Sequence, residues 1–377
     1  VAACALVSVA FLFCATGCDQ PLDERYAYRE YIYVSNGGSN DVSVVDGLAF
    51  KVIKTIPVGK NPSGIAANPK KNEIYVVNTE SNNLSVIDAE KNIVVATIGL
   101  HRTPYFISVS PDGKRGYVAN SGSNNVSVID LAARKVITTI SVGIAPGLAV
   151  VSSDGKTVVA SLGGEPAVAV IDADTQRVRN KIDLSDCKQP GDVTILPDSS
   201  KAFIACSSGS QVAAVQLKNA KLKQDDDRLL TLLNVGQTPI HLALKPDGGE
   251  LFVSNFDRGT ISEIATQANE VGGSYLIGPN PVRGVVGSDN ATLYVSNFGS
   301  DTVALYDITI NRLIASIHVG SKPESLVLSP NQNYLFVADT RSGDVAVVRT
   351  QVRALFTMIP VGSKPNAMVL KAFAVRK

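Results

Sequence analysis

Four side chains suited to chemistry stand at matching places beside prolines. Asp192, His241 and Arg283 each lie two residues after a proline (Pro190, Pro239, Pro281), and Glu324 directly follows Pro323. An arginine and a histidine can grip an anion, and carboxylates can orient them. The same set admits a second chemistry, with Asp192, His241 and Glu324 as acid and base on a cyclic ester, with or without a metal. His101, Arg102 and Lys188 precede Pro104 and Pro190 and extend a positive lip around the group. Tyr105 and Phe106 read as packing between repeats more readily than as an aromatic shelf for a sugar or base. The chain has only 3 histidines, so a general acid or base other than His241 has few sources. No nucleophile elbow, phosphate loop, His-Glu-x-x-His or haem-attachment motif occurs. The expectation is a binding protein with no cofactor and no metal.

What positions these residues is a repeated phrase. Its clearest copy runs over 117–143, YVANSGSNNVSVIDLAARKVITTISVG, with further copies around Tyr33, Tyr75 and Tyr294 and worn ones around Val158, Phe203, Phe252 and Phe336. The interval is about 42 residues, the length of a four-stranded propeller blade. Each unit reads as an apolar inner strand, a Pro-Asp-Gly-type turn, a second strand ending in Asn, a Val-rich third strand ending in Asp, and a fourth strand leading to the joint proline. Complete quartets begin near Gly64, Phe106, Leu148, Asp192, His241, Arg283 and Ser325, which gives seven. Three N-terminal strands over 31–56 lack an inner strand, and 367–370 supplies one. Joining them predicts an all-β propeller of eight blades, closed by pairing the two ends of the chain; seven is the alternative. The eight residues two places after the joint prolines then ring the mouth of the central channel, polar on one arc and apolar or small on the other.

The phrases YVSN (33–36), YVVN (75–78) and YVAN (117–120), the V-S-V-I-D runs and the V-G-x-x-P joints resemble the YVTN family of β-propeller repeats. The resemblance covers 31–370 and implies the fold. It implies little about function, because the motif residues build blades. Propeller relatives include lactonases, which is where the cyclic-ester reading comes from. The family more often has seven blades.

The first residues differ in kind. Residues 1–15 are apolar and uncharged, and Ala15-Thr16-Gly17 precede Cys18. The pattern resembles a bacterial lipobox, so 1–17 read as a signal peptide, 18–30 as a tether lipidated at Cys18, and 31–377 as the propeller. The protein is then expected in the bacterial cell envelope, held to a membrane by lipid and facing the periplasm or exterior, as a monomer. Its expected partners are an envelope protein, a glycan or a small anion. Nucleic acid is not among them, because a formal net charge of +1 provides no basic face. Two cysteines, Cys187 and Cys206, remain in the propeller and form a candidate disulfide; two separate buried thiols are the alternative.

Other recurrent polar residues read as structural. Asn36, Asn78, Asn120, Asn255 and Asn297, replaced by Asp339, Ser161 and Cys206 in the other units, are expected to bond their own backbone in turns. Asp46, Asp88, Asp130, Asp172 and Asp307 are read the same way. Two connections between third and fourth strands, at 218–228 and 266–274, read as lengthened. Asp225, Asp226 and Asp227 in the first of them read as a solvated acidic loop, since calcium ligands alternate along a loop. His318 reads as an outer-strand residue.

Overall fold

The computed structural model describes residues 26–376. They form eight four-stranded antiparallel sheets arranged as a propeller, with only two short 3-10 turns, Ser121–Ser123 and Ala220–Leu222. Blades one to seven start on the inner strands Pro62–Ala67, Pro104–Val109, Pro146–Val151, Pro190–Ile195, Pro239–Leu244, Pro281–Val286 and Pro323–Leu328. The eighth blade takes three strands from the N-terminal end and its inner strand, Pro365–Arg376, from the other end. Closure by the two chain ends is therefore present, with eight blades.

The closing pair is longer than the repeat alone specifies. The first strand runs Tyr26–Asn36, so 26–30 belong to the blade and not to a tether. Tyr26 to Tyr31 pair with Arg376 to Lys371 in unbroken register. Tyr31 packs edge-on against Phe373, with ring centroids 5.8 Å apart. Lys371 Nζ donates to Asn68 O of blade one at 2.7 Å, which ties the ribbon to the neighbouring blade. The signal segment and Cys18 lie outside the described residues.

Each blade buries the middle of its second and third strands on both faces, which explains their unbroken Val, Ile and Tyr content. The aromatic residue of the repeated phrase fills the space between sheets. Tyr33 is fully buried, and its hydroxyl donates to Asn92 Oδ1 of the next blade at 2.6 Å. In the third unit the equivalent position is Val159, not Val158: it is third in the strand Thr157–Leu162, as Tyr117 is in Arg115–Asn120. The register between third and fourth strands shifts at the same place in every blade, as at Val128/Ile129 and Val44/Val45. A bulge there increases the twist, and adjacent sheets can then splay around a common axis.

Two loop readings need correction. Only the 218–228 connection is long; the strands flanking the other are Thr260–Ala265 and Glu270–Leu276, which leaves an ordinary turn at 266–269. Valine and tyrosine within 270–276 carry the chain on as a strand despite Gly272 and Gly273. The acidic run is not simply solvated. Asp227 is buried and takes a two-pronged bond from Arg179 of the preceding blade, with Nε–Oδ2 and Nη2–Oδ1 both 2.7 Å. It also accepts the amide of Lys218 at 2.7 Å. Asp227 thus pins the long loop to the side of blade three. Asp226 stays exposed and pairs with Arg228.

The recurrent asparagines are structural, by a different mechanism from the one expected. They are fully buried and bond the facing third strand, not their own turn. Asn36 Nδ2 reaches Asp41 Oδ1 at 2.7 Å and Ser43 Oγ at 2.9 Å. Asn78 bonds Asn83 and Ser85, Asn120 bonds Asn125 and Ser127, and Asn255 bonds Thr260 and Ser262. The glycine of three V-G joints admits this side chain: a Cβ on Gly59, Gly236 or Gly362 would lie 2.6–2.7 Å from atoms of Asn78, Asn255 or Asn36. The aspartates that end the third strands do cap their own turns; Asp46 Oδ1, for example, accepts from Leu48 and Ala49 N, both at 2.9 Å.

Candidate functional site

All the joints, all the loops between second and third strands, and the starts of all the inner strands lie on one face of the ring, the proline rim. The tight turns lie on the other. Cys187 and Cys206 are bonded on the proline rim, with Cα atoms 5.0 Å apart. Cys187 stands three residues before Pro190, where Gly59 stands before Pro62, and Cys206 stands where other blades have the buried asparagine. The disulfide thus occupies the place of the Gly–Asn contact in blade four.

The inner strands bring Asp192, His241, Arg283 and Glu324 together on successive blades. Asp192 Oδ2 lies 4.0 Å from His241 Nε2. Both are already engaged. Asp192 Oδ2 accepts the amide of Leu242, and His241 Nδ1 accepts the amide of Gly284, at 2.9 and 3.2 Å. Ser325 does the same for Met368 at 3.2 Å. In each case a side chain two places after a joint proline takes the amide three places after the next one. These residues fasten neighbouring inner strands across a gap that the blade sheets themselves do not bridge.

Their engagement settles the charges. With Nδ1 as an acceptor, His241 carries its proton on Nε2, facing Asp192. Burial drives its pKa down to about 4, against a smaller upward pull from Asp192 and with a further push down from Arg283. The imidazole is neutral near pH 7 and adds no positive charge to that of Arg283. Arg283 has no acceptor atom and cannot act as a fastener. Its amide donates to Ser296 Oγ at 3.2 Å, and its guanidinium makes no polar contact among the described residues.

Glu324 closes the arc. Burial pushes its carboxyl up, while a bond from Thr340 and the nearby Arg283 pull it down. Thr340 Oγ1 has one proton and two acceptors in reach, Glu324 Oε2 at 2.9 Å and Pro365 O at 2.8 Å.

The proposed lip does not form around this group. His101 Nε2 sits 3.1 Å from Thr139 Oγ1, on the outer strand Lys135–Ser141 of its blade. Arg102 bonds Gly122 O at 3.0 Å and is exposed. Lys188 is exposed on the disulfide loop. All three share the rim with the arc, but His101 and Arg102 bond outwards within their own blade. A joint runs from the outer strand of one blade to the inner strand of the next, so sequence distance from a proline is also radial distance. Tyr105 is 46% exposed and so is not inter-blade packing. His318 is exposed on an outer strand.

Sequence reasoning missed a second feature of the rim. A cavity of about 580 Å³ opens between blades six, seven and eight, lined by Phe298, Lys322, Thr340, Arg341, Gly343 and Lys364 among others. A smaller one of about 440 Å³ opens beside Gly259. The signal was present in the repeats: Asn40, Asn82, Asn124 and Asp301 hold a place that is glycine only at 259 and 343 among the units whose third strand follows it directly.

Comparison with known proteins agrees with this architecture. Similar solved structures include hydrazine synthase of Kuenenia stuttgartiensis, 22% identical with a TM-score of 0.60 over 77% of this chain and 96% of that one. Dihydro-heme d1 dehydrogenase NirN in complex with DHE is 15% identical with a TM-score of 0.75, covering 90% and 74%. AztD of Citrobacter koseri is 14% identical with a TM-score of 0.69, covering 92% and 99%. At these identities the likeness concerns the fold alone. No curated protein sequence matches the chain. A family model described as YNCE-like beta-propeller matches residues 2–333, and the protein belongs to that family.

Proposed function

We propose that the protein is a non-catalytic, lipid-anchored binding propeller of the bacterial cell envelope, a lipoprotein form of the YVTN-like repeat, which presents its proline rim and channel mouth to an anionic ligand. The observation that carries this reading is the free guanidinium of Arg283. It sits between a neutral His241 and a buried Glu324, while Asp192 and His241 are occupied as inter-blade fasteners. A guanidinium with no hydrogen bond or ion pair among the described residues is suited to take a carboxylate or phosphate, free or borne on an envelope protein or glycan. The hydrolase alternative has less support. Among the described residues no three His, Cys, Asp or Glu side chains converge as a metal set. The lone pair that a histidine base would use is taken by Gly284.

The chain ends support the anchored arrangement. The first strand reaches the proline rim at Asn36, which pairs with Pro365, so its Tyr26 end lies on the opposite rim.

One experiment tests both parts. The mature chain, Arg283→Ala and Cys18→Ala are expressed with a secretion signal and partitioned with detergent, and envelope extracts are passed over each immobilised protein. Cys18→Ala is expected in the aqueous phase, the other two in the detergent phase. Arg283→Ala is expected to retain at least about tenfold less of an anionic species than the parent, with an unchanged melting temperature. Equal retention removes the mouth as the site. A Cys18→Ala chain that still partitions into detergent removes the anchor.

A further inference from the structure

The joints of this ring share a device for satisfying one exposed amide. The residue before each joint proline has a positive φ, from 50° at Asn61 and Ala145 to 62° at Lys322. In four joints its N–H is capped by the side chain of the residue that precedes the third strand in the preceding blade. Asn40 caps Asn61, Asn82 caps Thr103, Asn124 caps Ala145 and Asp301 caps Lys322, each at 2.9 Å. The capping residues themselves have φ of 52–61°, a left-handed conformation that Asn and Asp tolerate.

In blade seven this place is Gly343, φ 75°. With no side chain there, the amide of Lys364 has no such cap, and the volume that an asparagine would fill is open. The 580 Å³ cavity lies at this gap. The 440 Å³ cavity lies at the gap left by Gly259. The two differ in charge. At Gly259 the lining includes Asp257 beside Arg258, with the apolar Leu276. At Gly343 it includes Lys322, Arg341 and Lys364 and no carboxylate. Arg341 and Lys364 are exposed, and neither side chain has a polar partner among the described residues. Lys322 is fixed: its Nζ donates to Phe298 O at 3.1 Å and stands 4.6 Å from the centre of the Phe298 ring. Thr340, Ser342 and Ser363 add hydroxyls, and Phe298 and Val361 form an apolar side. This is a concave site with a few convergent polar groups, one uncapped backbone donor and one net sign of charge.

We infer that the cavity between Phe298, Lys322, Arg341, Gly343 and Lys364 is a second binding site, for a small organic oxyanion such as a sugar phosphate or sugar acid. The anionic group lies between Arg341, Lys364 and the Lys364 amide, and the carbon body lies along Val361 and Phe298. The site is separate from the Arg283 mouth, to which it is joined only through Thr340, whose hydroxyl faces Glu324.

Gly343→Asn tests this without touching a charge. A Cβ at 343 would meet only Gly362 O, at 3.5 Å, so the side chain has room. It installs the cap used in the four other joints and closes the cavity, and the variant is expected to melt no lower than the parent. Calorimetric titration uses glucose 6-phosphate, glucuronate and inorganic phosphate as probes against the parent, Gly343→Asn, Arg341→Ala/Lys364→Ala and Arg283→Ala. The parent is expected to bind at least one organic probe, and more tightly than inorganic phosphate. Gly343→Asn and the double variant are expected to weaken this at least about tenfold, and Arg283→Ala to remove only a separate binding event at the mouth while this one remains. Failure of both organic probes to bind the parent overturns the inference. So does inorganic phosphate binding as tightly as they do, or undiminished binding by Gly343→Asn. Loss only in Arg283→Ala overturns it too, while supporting the mouth as the anion site.

Discussion

Asp339→Asn is expected to stabilise the ring, and by more at high pH than at low. In blade eight the buried Asn36 amide donates to Asp41, and in blade one Asn78 donates to Asn83. In blade seven the same two places hold Asp339 and Asp344, paired across the sheet. Neither Oδ1 atom has a partner, and the amide of Gly320 donates to Asp339 Oδ2 at 3.1 Å. Burial, and then the facing Asp344, push the Asp339 carboxyl up to about 8. The folded protein thus holds a proton that the unfolded chain, with an ordinary carboxyl near pH 4, has released. Stability from this pair is complete below about pH 4 and is lost as pH rises towards 8. An asparagine donates to Asp344 with no proton required. The expected gain is about 3 kcal/mol at pH 9 and much less at pH 5. Denaturant melts of parent and variant at both pH values measure it. A gain independent of pH, or none at pH 9, would show that the carboxyls do not share a proton in the folded ring.

Removing the disulfide is the second large effect. Cys187→Ser/Cys206→Ser is expected to cost about 3 kcal/mol, since the bond closes a loop of 19 residues. The repeats suggest how to recover part of it. Four of the five blades with the buried asparagine have serine at the third position of the third strand, at Ser43, Ser85, Ser127 and Ser262, and the blade of Asn297 has Ala304. Blade four has Ala213 there, so asparagine alone at 206 would lack that partner. The triple change Cys187→Gly, Cys206→Asn, Ala213→Ser rebuilds the common contact. It should be about 1 kcal/mol more stable than the serine pair under reducing and oxidising conditions alike. Because the joint at 184–189 is two residues longer than the others, full recovery is not expected. A triple variant no more stable than the serine pair would mean that the longer joint cannot bring the new glycine against the new asparagine.

Strand order, blade number and closure were legible in the sequence because they follow from local signals repeated eight times: apolar runs, turn residues and joint prolines. The arc of Asp192, His241, Arg283 and Glu324 was legible for the same reason, since one offset from a proline places the first three and Glu324 stands one residue nearer its own. What those side chains do was not. The bond from Gly284 to His241 depends on how closely two blades approach, and no single repeat encodes that distance. The radial separation of His101 from the arc was hidden because a joint looks linear in sequence. Asp227 was misread because its partner, Arg179, lies in another blade. The buried asparagine contacts and the gap at Gly343 lay between these extremes. They are visible when the units are stacked and the exceptions compared: alanine accompanies Ser161, Cys206 and Asp339 where serine accompanies most of the asparagines.

The long pairing of the first and last strands also sets an order of events. Tyr31 faces Lys371, so the eighth blade cannot assemble until almost the whole sequence has been made and brought to one place. Until then seven sheets form an open arc whose two end faces are exposed, and joining ends so far apart in sequence is slow. The open arc is the species a chaperone or protease would meet, and the ribbon between Tyr26 and Arg376 is the latch that ends its exposure.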